Sequence, residues 1–404
     1  MKITILKLGW EFPPNSWGGL GNACYGLVKG LIYNGIKVKL VLPNKQKSFL
    51  NDCKIIHAPA IKHNIEKKYS KETSIKKKIY NTLYTNLFKR VSHYTTSCRN
   101  ISDVENFDII HAHDWMTFKA AIKIKKSKNK PLIVHVHSTE VDRQGINNIK
   151  KEIYNIEKNG MEIADKIIAV SNFTKKRIIK YYKISPKKIE VIHNAITLKR
   201  SGCNKKEIDK IKNLIKKQSE KINTNKKKFK VLFLGRLTAQ KGPGYFIDTA
   251  HKILQSKNNV EFIVVGDGDM KNKIIKKATK LGISKNIIFT GYLQGCQIDS
   301  IYKLADVYVM PSVCEPFGLA PLESMKNGTP VILSKDAGVC EIIKNCLKVN
   351  YWNINQMAKK VIQLLESPLL HKKLSINGKK EIKKISWNKT AQKCKVLYKQ
   401  ILQN

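Results

Sequence analysis

Three short stretches of the chain combine residue types and spacings that could handle a phosphorylated, hydroxyl-rich ligand. The first is Pro13-Pro14-Asn15-Ser16-Trp17-Gly18-Gly19-Leu20-Gly21. It follows an apolar run and opens a helical pattern. Its glycines let backbone approach a ligand and leave free N–H groups at a helix N-terminus, which suits phosphate. It is not G-x-G-x-x-G, so a dinucleotide fingerprint is absent, and an ordinary tight turn would read the same. The second is Gly235-Arg236-Leu237-Thr238-Ala239-Gln240-Lys241-Gly242. A guanidinium and an ammonium five residues apart, just past a strand, can clamp a diphosphate. Arg236 is the only arginine of the second half, in a chain that otherwise uses lysine, and that isolation points to a bidentate need. The third runs from Pro311 to Glu323 and holds Glu315-Pro316-Phe317-Gly318-Leu319. Glu315 and Glu323, eight apart across a loop and a helix start, could grip hydroxyls of one ligand. The amides of Phe317, Gly318 and Leu319 would meet an anion or a sugar oxygen. A carboxylate pair also serves glycosidases, which set the two carboxyls at a defined separation. The sequence does not fix that separation, and the cation pair suits a diphosphate.

These stretches must be held by something, and the pattern around them says what. Short β-rich runs alternate with helical stretches. The strand candidates are Ile3–Leu8, Lys37–Leu42, Asp108–Ala112, Leu132–His137, Ile167–Val170 and Glu190–His193. A second series follows at Lys230–Gly235, Val260–Val265, Asn286–Thr290, Asp306–Met310 and Pro330–Leu333. Most are nearly continuous apolar runs, as strands covered on both faces require. Helical patterns at Gly21–Tyr33, Tyr245–Gln255, Lys271–Leu281, Leu319–Lys326 and Met357–Leu365 supply the crossovers of parallel sheets. The expected class is α/β, two doubly wound Rossmann-like domains facing a cleft. The first spans 1–198, and an exposed basic connector covers 199–229. The second domain spans 230–385, and 386–404 forms a last helix. The basic stretch from Lys62 to Arg90 reads as a solvated surface helix or excursion. Ligands in such sheets bind beyond the carboxyl ends of the strands.

Composition narrows the partners. The chain has 404 residues, 42% hydrophobic, which excludes wholesale disorder. No apolar run approaches the ~18 residues that span a bilayer, and the start shows no cleavage site, so a cytoplasmic location is expected. Nine scattered cysteines without a C-x-x-C fit buried free thiols rather than a disulfide framework or zinc site. His111, His113, His135 and His137 sit at strand ends with no carboxylate cluster at metal spacing, so no metal is expected. The net charge is +46. Such a field attracts anionic surfaces, and peripheral contact with an anionic membrane is compatible with it. Specific nucleic-acid binding is not expected: only six of the 76 basic residues are arginine, and they form no patch interleaved with aromatics.

The motifs together resemble the retaining glycosyltransferases of family 4, with the GT-B fold, and within them the bacterial glycogen/starch-synthase-like branch. The segments that carry the likeness begin with Trp10-Glu11-Phe12-Pro13-Pro14, Gly18 to Gly21, His111-Ala112-His113-Asp114-Trp115 and His135 to Arg143. They continue with Ala169-Val170-Ser171-Asn172, Gly235-Arg236 to Lys241-Gly242, Val265 to Gly268, Thr290 to Leu293, and Glu315 to Glu323. They occur in order along nearly the whole chain. The resemblance implies a nucleotide-sugar donor and a glycan acceptor, no cofactor, and a retained anomeric configuration. The transferred group would be a hexosyl, most simply glucose passed to an α-glucan. The alternative is a cell-surface or lipid-linked acceptor.

Residue by residue, the likeness implies that Gly18 and Gly19 approach the donor and that Arg236 and Lys241 neutralise its diphosphate. Glu315, helped by the amides of Phe317, Gly318 and Leu319, contacts the sugar. Glu323 holds the ribose, and Gly291 and Tyr292 lie beside the base. His137 sits at the sugar, and Asp114 and Trp115 line the acceptor side. Ser386 and Trp387 precede the helix that crosses back to the first domain. The chain departs from the pattern at Ser16 and Trp17, where glycogen synthases of the neighbouring family carry Lys-Thr before the glycines. It departs again at Ala195, where Asn-Gly is usual.

Overall fold

Parallel strands with both faces covered are what the apolar runs demand, and the protein builds two such sheets. In this computed structural model, residues 2–14, 18–45, 50, 53–59, 73–198, 208–211, 213–215 and 228–403 are described, those at 73–84 by backbone alone. The first sheet holds β1 (Thr4–Leu8), β2 (Lys37–Leu42), β3 (Cys53–His57), β4 (Ile109–His113), β5 (Leu132–Val136), β6 (Lys166–Ala169) and β7 (Ile189–Val191). The second holds β8 (Phe229–Leu234), β9 (Val260–Val265), β10 (Ile287–Gly291), β11 (Val307–Met310), β12 (Val331–Ser334) and β13 (Leu347–Val349). Their orders are β3-β2-β1-β4-β5-β6-β7 and β10-β9-β8-β11-β12-β13, and every pairing is parallel. The direction of winding reverses between β1 and β4 in one sheet and between β8 and β11 in the other. Crevices open at such reversals, beyond the carboxyl ends of the strands. The loops that leave β1, β4, β8 and β11 therefore set the site.

Each sheet lies between two apolar layers. Leu6, Ile110, Val134 and Ile167 point to one side of the first sheet, and Ile5, Ile109, Ile133 and Ile168 to the other. Leu232 and Ile263 against Val231 and Phe262 repeat the pattern in the second. The last helix, Trp387–Gln403, leaves the second domain and packs on helix Gly19–Tyr33 of the first. Gly26 makes the approach possible: a Cβ there would stand 2.1 Å from Trp387 Nε1. The docking is completed when Tyr398 OH meets His111 Nδ1 at 2.7 Å and Lys395 Nζ donates to Asn34 O at 2.6 Å.

Several expectations need correction. β3 and β13 have no counterpart in the sequence reading. Both are edge strands, Cys-Lys-Ile-Ile-His and Leu-Lys-Val, whose lysines break the two-faced apolar signature. The connector is not wholly exposed, because Ile211 and Ile215 are buried in the second domain's core. The basic excursion lies partly outside the described residues, and its described part belongs to helix Thr73–Val104, which buries Val91, Tyr94 and Cys98 against the first sheet. Seven described cysteines are free thiols and six of them buried, as expected, whereas Cys296 is disulfide-bonded against that expectation. Ser16 and Trp17 lie outside the described residues. No helix among the described residues is long and apolar enough to cross a membrane.

Candidate functional site

On the second domain the chain leaves β8 through Gly235 and Arg236, makes one 3-10 turn at Ala239–Lys241, and reverses at Gly242 before Pro243 opens a helix. Gly242 has φ +66°, and a Cβ on it would lie 2.0 Å from Pro311 O in the loop after β11. Only glycine lets the two loops touch there. The contact is fixed by the Val313 amide donating to Gln240 O at 2.9 Å. It presents two cations in different states. Lys241 Nζ lies 2.6 Å from Glu315 Oε2, and Ser312 Oγ donates to the same oxygen at 3.3 Å. Arg236 is exposed, and its guanidinium has no protein partner among the described residues. Glu315 is 6% exposed, so its carboxylate leaves water for a lysine and a hydroxyl. Helix Leu319–Asn327 starts immediately after Gly318, so its first amides lack intrahelical acceptors.

The first domain faces this wall with a different kind of surface. Gly18 and Gly19 open helix Gly19–Tyr33. Asp114 leaves β4 at φ +57°, and its Oδ1 accepts the His137 amide at 2.7 Å. Burial raises the Asp114 carboxyl to about 7, against the pull of that amide and of Arg143. Asp114 thus holds the loop that carries His137. Trp115 is buried, its ring tilted against Phe88 with centroids 5.5 Å apart, and it lines the cleft. Beneath lie four imidazoles in a near-parallel stack. His111 and His135 have centroids 5.4 Å apart, His113 and His135 4.8 Å, and His135 and His137 4.3 Å. His113 Nδ1 and His137 Nε2 are 2.9 Å apart, and the buried ammonium of Lys7 touches His113 Nε2. Burial, and then the Lys7 charge, lowers the His137 pKa to about 3, so its ring is neutral at working pH.

Nitrogens of His111, His113 and His135 come within 4.8 Å of one another, as do ligand atoms of Cys24, His113 and His137. The rings of His111, His113 and His135 lie face to face, and Lys7 places a positive charge at His113.

The two walls are tied together. Ser171 Oγ donates to Pro316 O at 2.5 Å. Glu341 accepts the amides of Asn172 and Phe173, each at 2.9 Å, and meets His193 Nε2 at 2.8 Å. Between them lies a cleft of about 520 Å³. Every residue expected at the donor or on the acceptor side lines it except Gly291, whose carbonyl instead accepts the Gly266 amide at 2.9 Å while Tyr292 reaches the cleft. The reading missed Glu11, Asn22, Arg143, Asn194 and Gln240, which also line it. Arg143 stood in a quoted motif; its salt bridges to Glu140 and Glu157, at 3.2 and 2.6 Å, could not be read there. Asn194 stood at the Asn-Gly position without an assigned role, and its buried Oδ1 has no partner among the described residues.

Two family models match the chain: "Glycosyltransferase Family 4" over residues 17–200 and "Glycosyl transferases group 1" over residues 215–381. An uncharacterized glycosyltransferase of Methanocaldococcus jannaschii is 30% identical, over 99% of this chain and 98% of its own. A UDP-Gal:alpha-D-GlcNAc-diphosphoundecaprenol alpha-1,3-galactosyltransferase of Escherichia coli is 28% identical over 62% of this chain and 67% of its own. Among solved structures, Anabaena HepE in complex with UDP and glucose superimposes with a TM-score of 0.71 at 17% identity, over 98% of this chain and 100% of that one.

Proposed function

The chain belongs to the family 4, group 1 glycosyltransferases of GT-B type, and from that premise we propose that it moves a hexosyl group from a nucleotide diphosphate sugar to a glycan hydroxyl, with retention. The observation that carries the reading is the pairing of Arg236, a cation without a protein partner among the described residues, with Lys241 at the reversal point of the second sheet, in the cleft that the first sheet's loops also line. The diphosphate of the donor lies against both cations and the amides at Gly18–Gly19. Lys241 then exchanges Glu315 for phosphate oxygens, and the freed carboxylate accepts hydroxyls of the transferred sugar. Glu323 holds the ribose and Tyr292 flanks the base.

As the bond from the anomeric carbon to the diphosphate breaks, negative charge grows on the leaving oxygen, and the two cations stabilise it. The acceptor hydroxyl attacks from the same face and passes its proton to that oxygen. This route needs no protein nucleophile and no metal, since two cations and helix amides meet the diphosphate. A screen of purified protein against uridine and adenosine diphosphate sugars and a set of glycan acceptors tests it. The expected result is nucleoside diphosphate release matched by a product of unchanged anomeric configuration, insensitive to chelator. Inversion, or activity lost to chelator and restored by manganese, contradicts the route.

The resemblance points to glucose passed to α-glucan. A second reading, a lipid-linked acceptor, is favoured by the Escherichia coli relative, whose name gives a diphosphoundecaprenol acceptor, and by the +46 charge, which draws a protein to anionic lipid. Salt-sensitive binding to anionic vesicles without α-glucan elongation selects that reading.

A further inference from the structure

Lys7 is the least expected residue of the first domain. It is the fourth of the five residues of β1, is 0% exposed, and has no carboxylate partner among the described residues. The groups that face it are Cys24 from helix Gly19–Tyr33, Cys53 from β3, Cys394 from helix Trp387–Gln403, and the histidines of β4 and β5. All are uncharged at neutral pH. Burial raises the three thiols to about 12, 11 and 12, and lowers His111, His113 and His135 well below their ordinary value. The carboxylates of Asp114 and Glu11 act on the neighbouring Cys24 thiol. An unpaired charge in such a place is costly, and what it touches suggests what it does.

We propose that Lys7 is a positioning residue that, through His113, fixes the proton of His137 on Nδ1 and so makes His137 a hydrogen-bond donor to the ligand in the cleft. The chain of contacts leaves no other order. An ammonium has three donors and no lone pair, so His113 Nε2 must accept from Lys7. A neutral His113 then carries its proton on Nδ1, which lies 2.9 Å from His137 Nε2 and donates to it. A neutral His137, its Nε2 occupied as an acceptor, carries its own proton on Nδ1. That nitrogen has no protein partner among the described residues, and His137 lines the cleft. Without the Lys7 charge the chain can run the other way, with His137 Nε2 donating inward and Nδ1 turned into an acceptor. Only the use of this donor, toward an oxygen of the transferred sugar, rests on the glycosyl-transfer reading; the relay does not.

The test is two-bond proton–nitrogen correlation on protein labelled with 15N at histidine. The His137 signals are assigned from their loss in His137→Asn. The tautomer is compared between the wild type and Lys7→Met, which keeps the length of the side chain without its charge. Wild type at pH 7 should show His137 protonated at Nδ1. Lys7→Met should move the majority to Nε2 and lower kcat about tenfold, with donor KM changed less than twofold. A second reading needs no variant. Burial lowers the Lys7 pKa to about 8, so raising the pH of wild type from 7 to 9.5 should produce the same shift. His137 protonated at Nε2 in wild type at pH 7, or a tautomer indifferent to both Lys7→Met and pH, overturns the proposal. Because the spectrum needs no substrate, a correct tautomer with no sugar transfer in the donor screen would sink the enzymatic reading and leave the relay standing.

Discussion

The two walls of the cleft solve the same problem with different material. The second domain uses backbone: tight turns at Gly242 and Gly318 bring loops together, and charged side chains stand on them at the surface or in one ion pair. The first domain uses buried side chains: three stacked imidazoles, a lysine and a carboxyl almost wholly withdrawn from water, with the half-buried ring of His137 ending the stack at the cleft. A wall of turns offers strong, water-accessible charge to a diphosphate. A buried polar stack offers a neutral donor of fixed direction to an uncharged sugar. On the proposed reading the second domain carries the cations that neutralise the diphosphate and the first adds a neutral donor to the sugar opposite Glu315, so substitutions on the two sides should fail in different ways.

The largest effect belongs to the turn wall. Arg236→Ala should lower kcat/KM about 100-fold or more, on the order of 3 kcal/mol, because the leaving diphosphate loses its guanidinium. Steady-state rates on the donor found in the screen check this, and near-wild-type values would break the comparison at its stronger half.

On the buried wall the sign reverses for stability. The Lys7 pKa falls from 10.5 to about 8 on folding, so between those values the unfolded chain binds more protons than the folded one. Stability contributed by this site therefore rises with pH across about 8 to 10.5 and is lowest below it. Lys7→Met removes a penalty on the order of 3 kcal/mol at pH 7 and almost none at pH 10.5. Thermal melts at the two pH values should show the variant more stable at the lower one, even as its turnover falls. A variant less stable at pH 7 would show that the ammonium is held by its surroundings and not imposed on them.

Gly242→Ala sharpens the contrast from the other side. Its Cβ would meet Pro311 O at 2.0 Å with the backbone at φ +66°, and the loss should be about 2–3 kcal/mol in urea denaturation followed in the second domain. The same substitution at Gly35, which also has positive φ but nothing within 4 Å of a Cβ, should cost less. The smallest effect is expected at Glu341, which joins the domains. Glu341→Ala releases His193 and the amides of Asn172 and Phe173, and should raise the donor KM a few-fold, about 1 kcal/mol, with little change in kcat. Fluorescence titration with the nucleotide checks it, and unchanged affinity would mean that Glu341 does not help to set closure.

The same division explains what could be read in the sequence. The turn wall is written locally: Gly235 to Gly242 and Pro311 to Glu323 each hold their glycines and charges within one loop, so spacing reveals them. The doubly wound sheets were legible for a similar reason, since β9 and β4 are buried along their whole length and show it as apolar runs. The buried wall is assembled across the chain. Lys7 and His113 are 106 residues apart, and in Thr-Ile-Leu-Lys-Leu the lysine passes as an interruption of a strand. His111 meets its partner Tyr398 across 287 residues. The edge strands β3 and β13 and the buried pair Ile211 and Ile215 were hidden because their neighbours are polar and half of each element faces water.

The central claim is that the diphosphate of a sugar nucleotide binds where the two walls meet. A crystal of the protein soaked with the donor tests it most directly. The account predicts phosphate density between the Arg236 guanidinium, Lys241 Nζ and the amides at Gly18–Gly19, with Lys241 moved away from Glu315. Density elsewhere, with the 2.6 Å Lys241–Glu315 pair intact and the cleft vacant, would contradict it.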